Sequence, residues 1–243
     1  MGSGYYAAGT ALMARVQELD LIANNLANVS TPGYRAEQES FSAVLADSNS
    51  STDLNRAIND YGVLSGTNLD LTQGALQKTG NQLDLAIRGP GFFVVQTAHG
   101  DVYTRDGNFQ ISAKHQLITS FGDPVMGAKG PITLQPGPVS ISDDGTISSA
   151  GAVSGKLKIV EFPAGTQIQN MGNTYYSAPA GTAKPAAASH LRQGYLESSN
   201  VNPIQAMVQL VTAQRTADMM QRALAMFNSQ MDKTATQDLP KVG

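Results

Sequence analysis

The sequence predicts an α+β fold in which an antiparallel β domain lies between two terminal helices that pair with each other as a coiled-coil-like domain. Near both ends of the chain, apolar residues recur at alternating steps of four and three, which is helical spacing. The middle instead alternates apolar and polar residues with a period of two. Turn clusters rich in glycine and proline separate its short apolar runs, as in antiparallel β domains.

The first helix is predicted over about residues 3–30. Its apolar stripe consists of Leu12, Val16, Leu19, Ala23 and Leu26. This stripe is as narrow as a coiled-coil seam. The helix is expected to end within VSTPGY, because Pro32 disfavours helical geometry in the residue before it and Gly33 permits a turn.

The second helix is predicted over about residues 202–235, with Asn202 as its N-cap and Pro203 at its first helical position. Its stripe continues without a break through Ala206, Leu210, Ala213, Ala217, Met220, Leu224, Phe227 and Met231. Isolated helices with such thin apolar stripes are marginal in water. We therefore expect the two helices to pair, forming a domain of residues 1–35 plus 198–243.

The β domain is predicted over residues 71–197. QLDLAI, FFVVQ and KLKIVEF alternate or concentrate apolar residues as strands do, and AHGD, RDGN and SDDGT are turn clusters. Residues 36–70 are polar and rich in serine and glycine, so they are predicted to form a linker or loop.

A patch of three neutral amides marks the end of the first helix. Asn24, Asn25 and Asn28 lie opposite the predicted seam, and no charged residue occurs between Asp20 and Arg35. Burying an amide costs far less than burying a charge, so we expect a neighbouring subunit to cover this face. In the alternative interpretation, Asn28 helps to end the helix and the other two asparagines face water.

The composition disfavours several classes of function. The net charge of −3 supplies no basic field for nucleic acid, and no apolar run is long enough for membrane insertion. The chain has no cysteine, and its three histidines lie in loop-like sequence without a ligand at helical spacing, so no metal site is expected. No G-x-S-x-G elbow or complete dinucleotide loop occurs, so we expect no catalytic residue, no cofactor and no enzyme activity.

Three segments together resemble the flagellar rod and hook protein family. They are LDLIANNLANVSTPGYRA in the first helix, GALQKTGNQLDLAIRGPGFFVVQTAHGDVYTRDGNFQIS at 74–112, and GYLESSNVNPIQAMVQLVTAQRTADMMQRAL at 194–224. The family-motif positions predicted to serve assembly are Asn24, Asn25, Asn28, Pro32, Gly33, Tyr34, Asn200 and Asn202. The length and the lack of a large central insertion favour a rod protein over the longer hook protein, with the proximal rod first and the distal rod second.

The resemblance implies a structural subunit of the bacterial flagellar basal body. Its partners would be other rod proteins, copies of itself and the flagellar export apparatus. The helices would line an axial channel, and the assembly would transmit torque as a drive shaft. The start of the sequence lacks the basic and apolar regions of a signal peptide, so export without signal cleavage is expected. A second hypothesis is a β domain that binds cell-wall glycan and is oligomerised by the helices; a wall hydrolase is a third.

Overall fold

The computed structural model describes residues 2–41 and 64–237, and within them the α+β class is confirmed. Helix α1 spans Gly2–Ala27 and helix α2 spans Pro203–Gln237. The strands between them are β1 Glu37–Phe41, β2 Leu64–Leu69, β3 Leu76–Lys78, β4 Leu85–Arg88, β5 Phe92–Thr97, β6 Gly100–Thr104, β7 Phe109–Ile111, β8 Leu117–Thr119, β9 Met126–Gly127, β10 Gly130–Pro131, β11 Val139–Ile141, β12 Thr146–Ser149, β13 Ala152–Lys156, β14 Ile159–Glu161, β15 Gln169–Gly172, β16 Tyr175–Ser177, β17 Lys184–Pro185, β18 His190–Gln193 and β19 Tyr195–Glu197.

The described residues divide into two compact units. Of the described residues, the helical unit draws on 2–26, 39–41, 64–67 and 202–237, and the β unit consists of 27–38 and 68–201. Both helices therefore belong to one unit, although their pairing as a coiled coil stays a prediction. The segment 36–70, which was predicted as a linker, carries β1 and β2 at its two ends, and these strands pair with each other.

The two helices begin and end for local reasons. Asn202 caps α2, since its side-chain Oδ1 accepts hydrogen bonds from the backbone N–H groups of Ile204 at 3.1 Å and Gln205 at 3.2 Å. The predicted cap is thus confirmed. At the other end of the chain, α1 stops at Ala27, and the next turn is closed by hydrogen bonds from Thr31 to the backbone and side-chain oxygens of Asn28.

A six-stranded sheet in the order β15-β16-β6-β5-β14-β17 forms the centre of the β unit. Its neighbouring strands pair antiparallel. Strand β5 is buried on both faces, because Phe93 packs into one core cluster while Phe92 and Val94 pack into another. Three antiparallel ribbons, β3–β19, β4–β18 and β7–β8, and the three-stranded sheet β11-β12-β13 lie outside this sheet.

The turn between β12 and β13 holds a non-glycine residue, Ala150, in the left-handed backbone region. Ala150 and Gly151 form a two-residue connection, and both have positive φ, at 50° and 82°. This is the combination that a type I′ turn requires, and alanine adopts it poorly whereas asparagine followed by glycine adopts it well. We predict that Ala150→Asn raises the free energy of unfolding by about 0.5–1 kcal/mol.

Denaturant unfolding followed by near-ultraviolet circular dichroism measures this effect, with Ala150→Val as the comparison. Valine is β-branched and tolerates positive φ less well than alanine, so it should destabilise the turn. An Ala150→Asn protein no more stable than the wild type would contradict the proposed turn strain.

Candidate functional site: a buried clamp around Glu197

Two arginines and one glutamate form an ion-pair network inside the β unit. Arg35 Nη2 lies 2.6 Å from Glu197 Oε1, and Arg105 Nη1 donates to Glu197 Oε2 at 3.1 Å. The side chains of Arg35 and Glu197 are 0% exposed and that of Arg105 is 2% exposed. We call these three residues together with Asn200 the clamp. Taking charges out of water is costly, so the three charged groups are stable there only because they pair with one another.

Backbone groups complete the surroundings of Glu197. The N–H of Gly74 donates to Glu197 Oε1 at 2.8 Å, and the N–H of Gly33 donates to the Glu197 carbonyl at 2.8 Å. Gly33 has a φ of 70°, and a Cβ there would lie 2.2 Å from the backbone nitrogen of Asp106. Only glycine allows the two backbones to come this close, which explains why glycine occupies motif position 33.

Arg105 links Glu197 to a neighbouring loop. Its Nη2 donates to the Gly89 carbonyl at 2.7 Å, and its guanidinium lies 4.9 Å from the centre of the Phe92 ring. Burial, opposed by the Glu197 carboxylate and reinforced by the nearby charge of Arg35, lowers the pKa of Arg105 to about 10. Arg105 therefore stays charged at neutral pH and remains a partner for the carboxylate.

Asn200 binds two other segments through its side chain. Its Oδ1 accepts from the Ala36 N–H at 2.7 Å, while its Nδ2 donates to the carbonyls of Asp70 at 2.9 Å and Thr72 at 3.1 Å. The Ala36 carbonyl accepts from the Asp70 N–H at 2.8 Å. One amide thus ties three stretches of chain together, using both its acceptor and its donors.

Tyr176 holds the backbone on either side of Tyr34. Its hydroxyl accepts from the Arg35 N–H at 2.9 Å and donates to the Gly33 carbonyl at 3.4 Å. Burial raises the pKa of Tyr176 to about 12, so the phenol stays protonated and keeps its donor. Tyr34 is itself buried, and burial, followed by the nearby charge of Glu37, raises its pKa.

The clamp ties together three segments of the β unit. They are residues 27–38, the stretch beginning at 68, and the stretch ending at 201. Arg35 lies on the first, Asp70, Thr72 and Gly74 lie on the second, and the third contributes Glu197 and Asn200. The contacts described above join all three. The arrangement is chemically a structural joint, because its charged groups are paired and enclosed.

The described residues contain neither a metal-binding cluster nor a membrane-spanning helix. Among residues 2–41 and 64–237, no group of three or more histidine, aspartate or glutamate side chains is placed to hold a metal ion. Neither described helix is long and apolar enough to cross a membrane.

Sequence reasoning named three members of this region, Gly33, Tyr34 and Asn200, but missed Arg35, Arg105, Tyr176 and Glu197. A signal for Glu197 was present, since it is the single charge between Arg192 and Arg215. A carboxylate in such a long neutral stretch is a candidate for burial with a cationic partner. The identity of that partner depends on the fold, because both arginines are distant in sequence.

The predicted stripe of α1 has mixed exposure within the single chain. Val16 and Ala23 are exposed, while Leu12, Leu19 and Leu26 are half-buried. The most buried positions, Ile22 and Asn25, come one residue before Ala23 and Leu26, which is a rotation of about 100° around the helix. Of the amide patch, Asn24 is exposed, Asn28 is half-buried and Asn25 is buried. Exposure in one chain does not test contacts with a neighbouring subunit, so these assignments stay predictions.

The stripe of α2 coincides with the less exposed side of that helix. Ala206, Ala213 and Ala217 are buried, and Leu210, Met220 and Leu224 are half-buried. The side chains of Phe227 and Met231 lie outside the described residues. A second line of apolar side chains runs along the opposite side and is exposed; we call it the outer stripe. It consists of Ile204, Val208, Val211, Met219 and Met226.

Comparison with known proteins identifies the family of this chain. The family model described as flagella basal body rod protein matches residues 6–35, the flagellar hook protein FlgE/F/G D1 domain matches 86–154, and the flagellar basal body rod FlgEFG protein C-terminal region matches 192–237. Each matched region contributes one charged residue of the clamp. The chain belongs to the flagellar basal-body rod and hook protein family.

Similar proteins within that family are rod proteins. The chain is 31% identical to the flagellar basal-body rod protein FlgF of Caulobacter vibrioides, covering 100% of both chains, and 34% identical to FlgF of Salmonella typhimurium, covering 92% of this chain and 93% of that one. It is 30% identical to the rod protein FlgG of Buchnera aphidicola subsp. Schizaphis graminum over 92% of this chain and 95% of that one. The predicted resemblance to the family and to FlgF is confirmed.

The first prediction from the site concerns the charge balance of the clamp. Glu197→Gln keeps the shape of the side chain but leaves two buried guanidinium groups without a carboxylate. Removing one partner of a buried ion pair costs about 3–5 kcal/mol, so this variant should unfold at a much lower denaturant concentration. The control is Glu18→Gln, which breaks the partly exposed Arg15–Glu18 pair and should change stability by about 0.5 kcal/mol or less. A Glu197→Gln protein as stable as that control would refute the role of the clamp.

The second prediction is a pH dependence centred on Asp106, the neighbour of Arg105. Burial, and then the nearby charge of Asp84, raise the pKa of this half-buried carboxyl group to about 6, although its hydrogen bond from Asn108 opposes the shift. The folded protein therefore binds the proton more tightly than the unfolded chain, so stability falls as pH rises from about 4 to about 6.

Asp106→Asn should remove this loss. At pH 7 the free energy of unfolding of the variant should exceed that of the wild type by about 1–2 kcal/mol; this figure allows for solvent screening of the half-buried Asp106 carboxylate. The difference should vanish near pH 4, where the wild-type carboxyl group is protonated in the folded state. Urea unfolding across this pH range measures it. Asp101→Asn, which changes an exposed carboxylate paired with Lys158, is the control and should show little pH-dependent difference. Equal pH profiles for Asp106→Asn and the wild type would contradict the assignment.

Proposed function

We propose that this protein is a structural subunit of the flagellar basal-body rod that assembles with copies of itself and with other rod proteins through its terminal helices. The outer stripe of α2 is the observation that carries the proposal. Ile204, Val208 and Met219 are 75%, 62% and 63% exposed. Apolar side chains exposed along one line of a water-facing helix favour burial against another protein surface.

The spacing of the outer stripe supports a helix as the partner surface. Its members fall at positions 204, 208, 211, 219 and 226, and Arg215 and Arg222 occupy the remaining steps of the same line. Steps of four and three keep side chains on one line of a helix, as in a coiled-coil seam. The buried line through Ala206, Ala213 and Ala217 is about 180° away, since two residues advance a helix by about 200°. Helix α2 can therefore pack within its own chain and against a neighbour at the same time.

The clamp supports a mechanical role for the subunit. A shaft that transmits torque requires that force on the helices reach the β unit without local unfolding. In this chain the three connecting segments are tied together by buried ion pairs and by the Asn200 amide. We propose that the clamp is the joint through which each subunit carries torque, with the terminal helices enclosing the export channel.

Location and export follow from the same proposal. The subunit would occupy the rod of the flagellar basal body, which spans the periplasm, and would pass through the flagellar export apparatus without signal cleavage. The helical ends, marked by Asn24, Asn28 and Asn202, would provide surfaces for neighbouring rod proteins, whereas the predicted assembly residue Tyr34 is buried in its own chain and offers no such surface. No cofactor is part of this function.

The test introduces charge into the outer stripe. In a motile strain whose own gene for this protein is deleted, Val208→Lys/Met219→Lys should fail to enter isolated basal bodies and should abolish swimming, because each lysine would be buried without a partner. Gln205→Lys/Gln214→Lys, which adds the same charge to other exposed positions of α2, is the matched control and should assemble. Immunoblots of purified basal bodies and swimming assays report the outcome. Normal rods built from the stripe variant would overturn the proposal.

A further inference from the structure

A basic cleft lies on the β4–β18 ribbon of the β unit, outside the clamp and the helices. It has a volume of about 650 Å³ and is lined by Arg88, His190 and Arg192, with Gln73, Gly89 and Asp143 around them. In the antiparallel register, Arg88 lies directly opposite His190, and Arg192 lies two residues further along the same face. The intervening pair, Ile87 and Leu191, points into the core.

The basic side chains of this cleft have no acidic partner in the described part of the chain. Neither Arg88, Arg192 nor His190 forms an ion pair with another described residue, and all three are exposed. Arg192 lies 5.8 Å from the centre of the Tyr195 ring, which is a cation–π contact and leaves the guanidinium without a carboxylate. The two arginines also reverse the sign of a chain whose net charge is −3. Within the described part of the chain, no ion pair uses the capacity of these two guanidinium groups to bind carboxylates.

The floor of the cleft is held rigidly by neighbouring groups. Gln73 donates to the Ile87 carbonyl at 2.6 Å and accepts from the Gly89 N–H at 3.3 Å. The Gly89 carbonyl accepts from buried Arg105 of the clamp at 2.7 Å, and the Gly91 N–H donates to Ser189 Oγ at 2.9 Å. A preformed floor lowers the entropy lost when a ligand binds, which favours recognition.

We propose that this cleft docks carboxylate side chains of an acidic segment presented by a neighbouring protein subunit. Two guanidinium groups on one face match the planar, two-oxygen geometry of carboxylates. Asp143 also lines the cleft, and separate carboxylates on a flexible peptide can reach the arginines while avoiding it, which the fused charges of a polyphosphate cannot do as easily. That the partner is another subunit rests on the proposed assembly function, whereas the carboxylate chemistry rests on the cleft alone.

The test uses the full chain and a fluorescein-labelled hexaglutamate peptide as the probe, with fluorescence anisotropy at low salt as the readout. Arg88→Gln/Arg192→Gln should weaken binding by about tenfold or more, because charge-assisted bonds to two guanidinium groups are lost. Lys114→Gln/Lys129→Gln removes the same charge from exposed positions outside the cleft and should leave the affinity within about twofold. A hexaglutamine peptide should not bind. Thermal melting should show that both variants fold as the wild type does.

Three results would overturn the proposal. Equal weakening by the two double variants would mean that binding follows net charge alone. Unchanged hexaglutamate affinity in Arg88→Gln/Arg192→Gln would remove the arginines from recognition. Arginine-dependent binding of tripolyphosphate without binding of hexaglutamate would assign the cleft to phosphate groups instead.

Incorporation into basal bodies separates this inference from the proposed function. Arg88→Gln/Arg192→Gln should enter rods less efficiently than Lys114→Gln/Lys129→Gln. If the outer-stripe variant fails to assemble while the cleft variant binds hexaglutamate and assembles normally, the docking site is wrong and the assembly function stands. If hexaglutamate binding depends on the cleft arginines while the outer-stripe variant builds normal rods, the cleft stands and the proposed function fails.

Discussion

The carboxylate of Glu197 is the group on which the arrangement of the three connecting segments depends. One oxygen meets Arg35 and the Gly74 N–H, and the other meets Arg105. Each contact reaches a different part of the chain. A buried carboxylate without these partners would be strongly unfavourable, and two buried guanidinium groups without the carboxylate would be equally so. The three segments are therefore stable in this position only together, which makes the joint cooperative rather than a sum of independent contacts.

The clamp is built from charged side chains rather than apolar ones, and the two kinds of contact differ in direction rather than in net stability. An apolar cluster of similar volume would match it in stability, since buried ion pairs seldom exceed hydrophobic packing in net free energy. Apolar contacts, however, permit sliding, whereas the hydrogen bonds that Arg105 and the Gly74 N–H donate to the Glu197 carboxylate have fixed directions. The Asn200 amide adds the same property, since it binds Ala36 across 164 residues of sequence and Asp70 across 130. Fixed direction is the property that the proposed torque-transmitting role requires of the clamp.

Local patterns predicted more of this molecule than long-range ones. The cap at Asn202, the class of the fold and the strand character of QLDLAI and FFVVQ follow from spacing and turn chemistry, which are local properties. The clamp could not be predicted, because the pairing of Arg35, Arg105 and Glu197 arises from the topology of the β unit. The mixed exposure of the α1 stripe has a similar origin: Val16 and Ile22 are both apolar, and only packing decides which side of the helix is covered. The strands at the ends of the polar segment 36–70 also depend on their pairing with each other rather than on apolar pattern.

The two units differ in how they bury their apolar side chains. The β unit encloses its own core, with Phe92, Phe93 and Tyr176 all at 2% exposure or less, and it pairs buried Glu197 with two arginines. Helix α2 instead has one covered line and one exposed line on opposite sides. In the described part of the chain, hydration of the exposed apolar line is a free-energy cost that no packed side chain offsets. The β unit is therefore suited to keep its structure by itself, while in the proposed assembly the outer stripe would gain its stabilisation by burial against a neighbouring subunit.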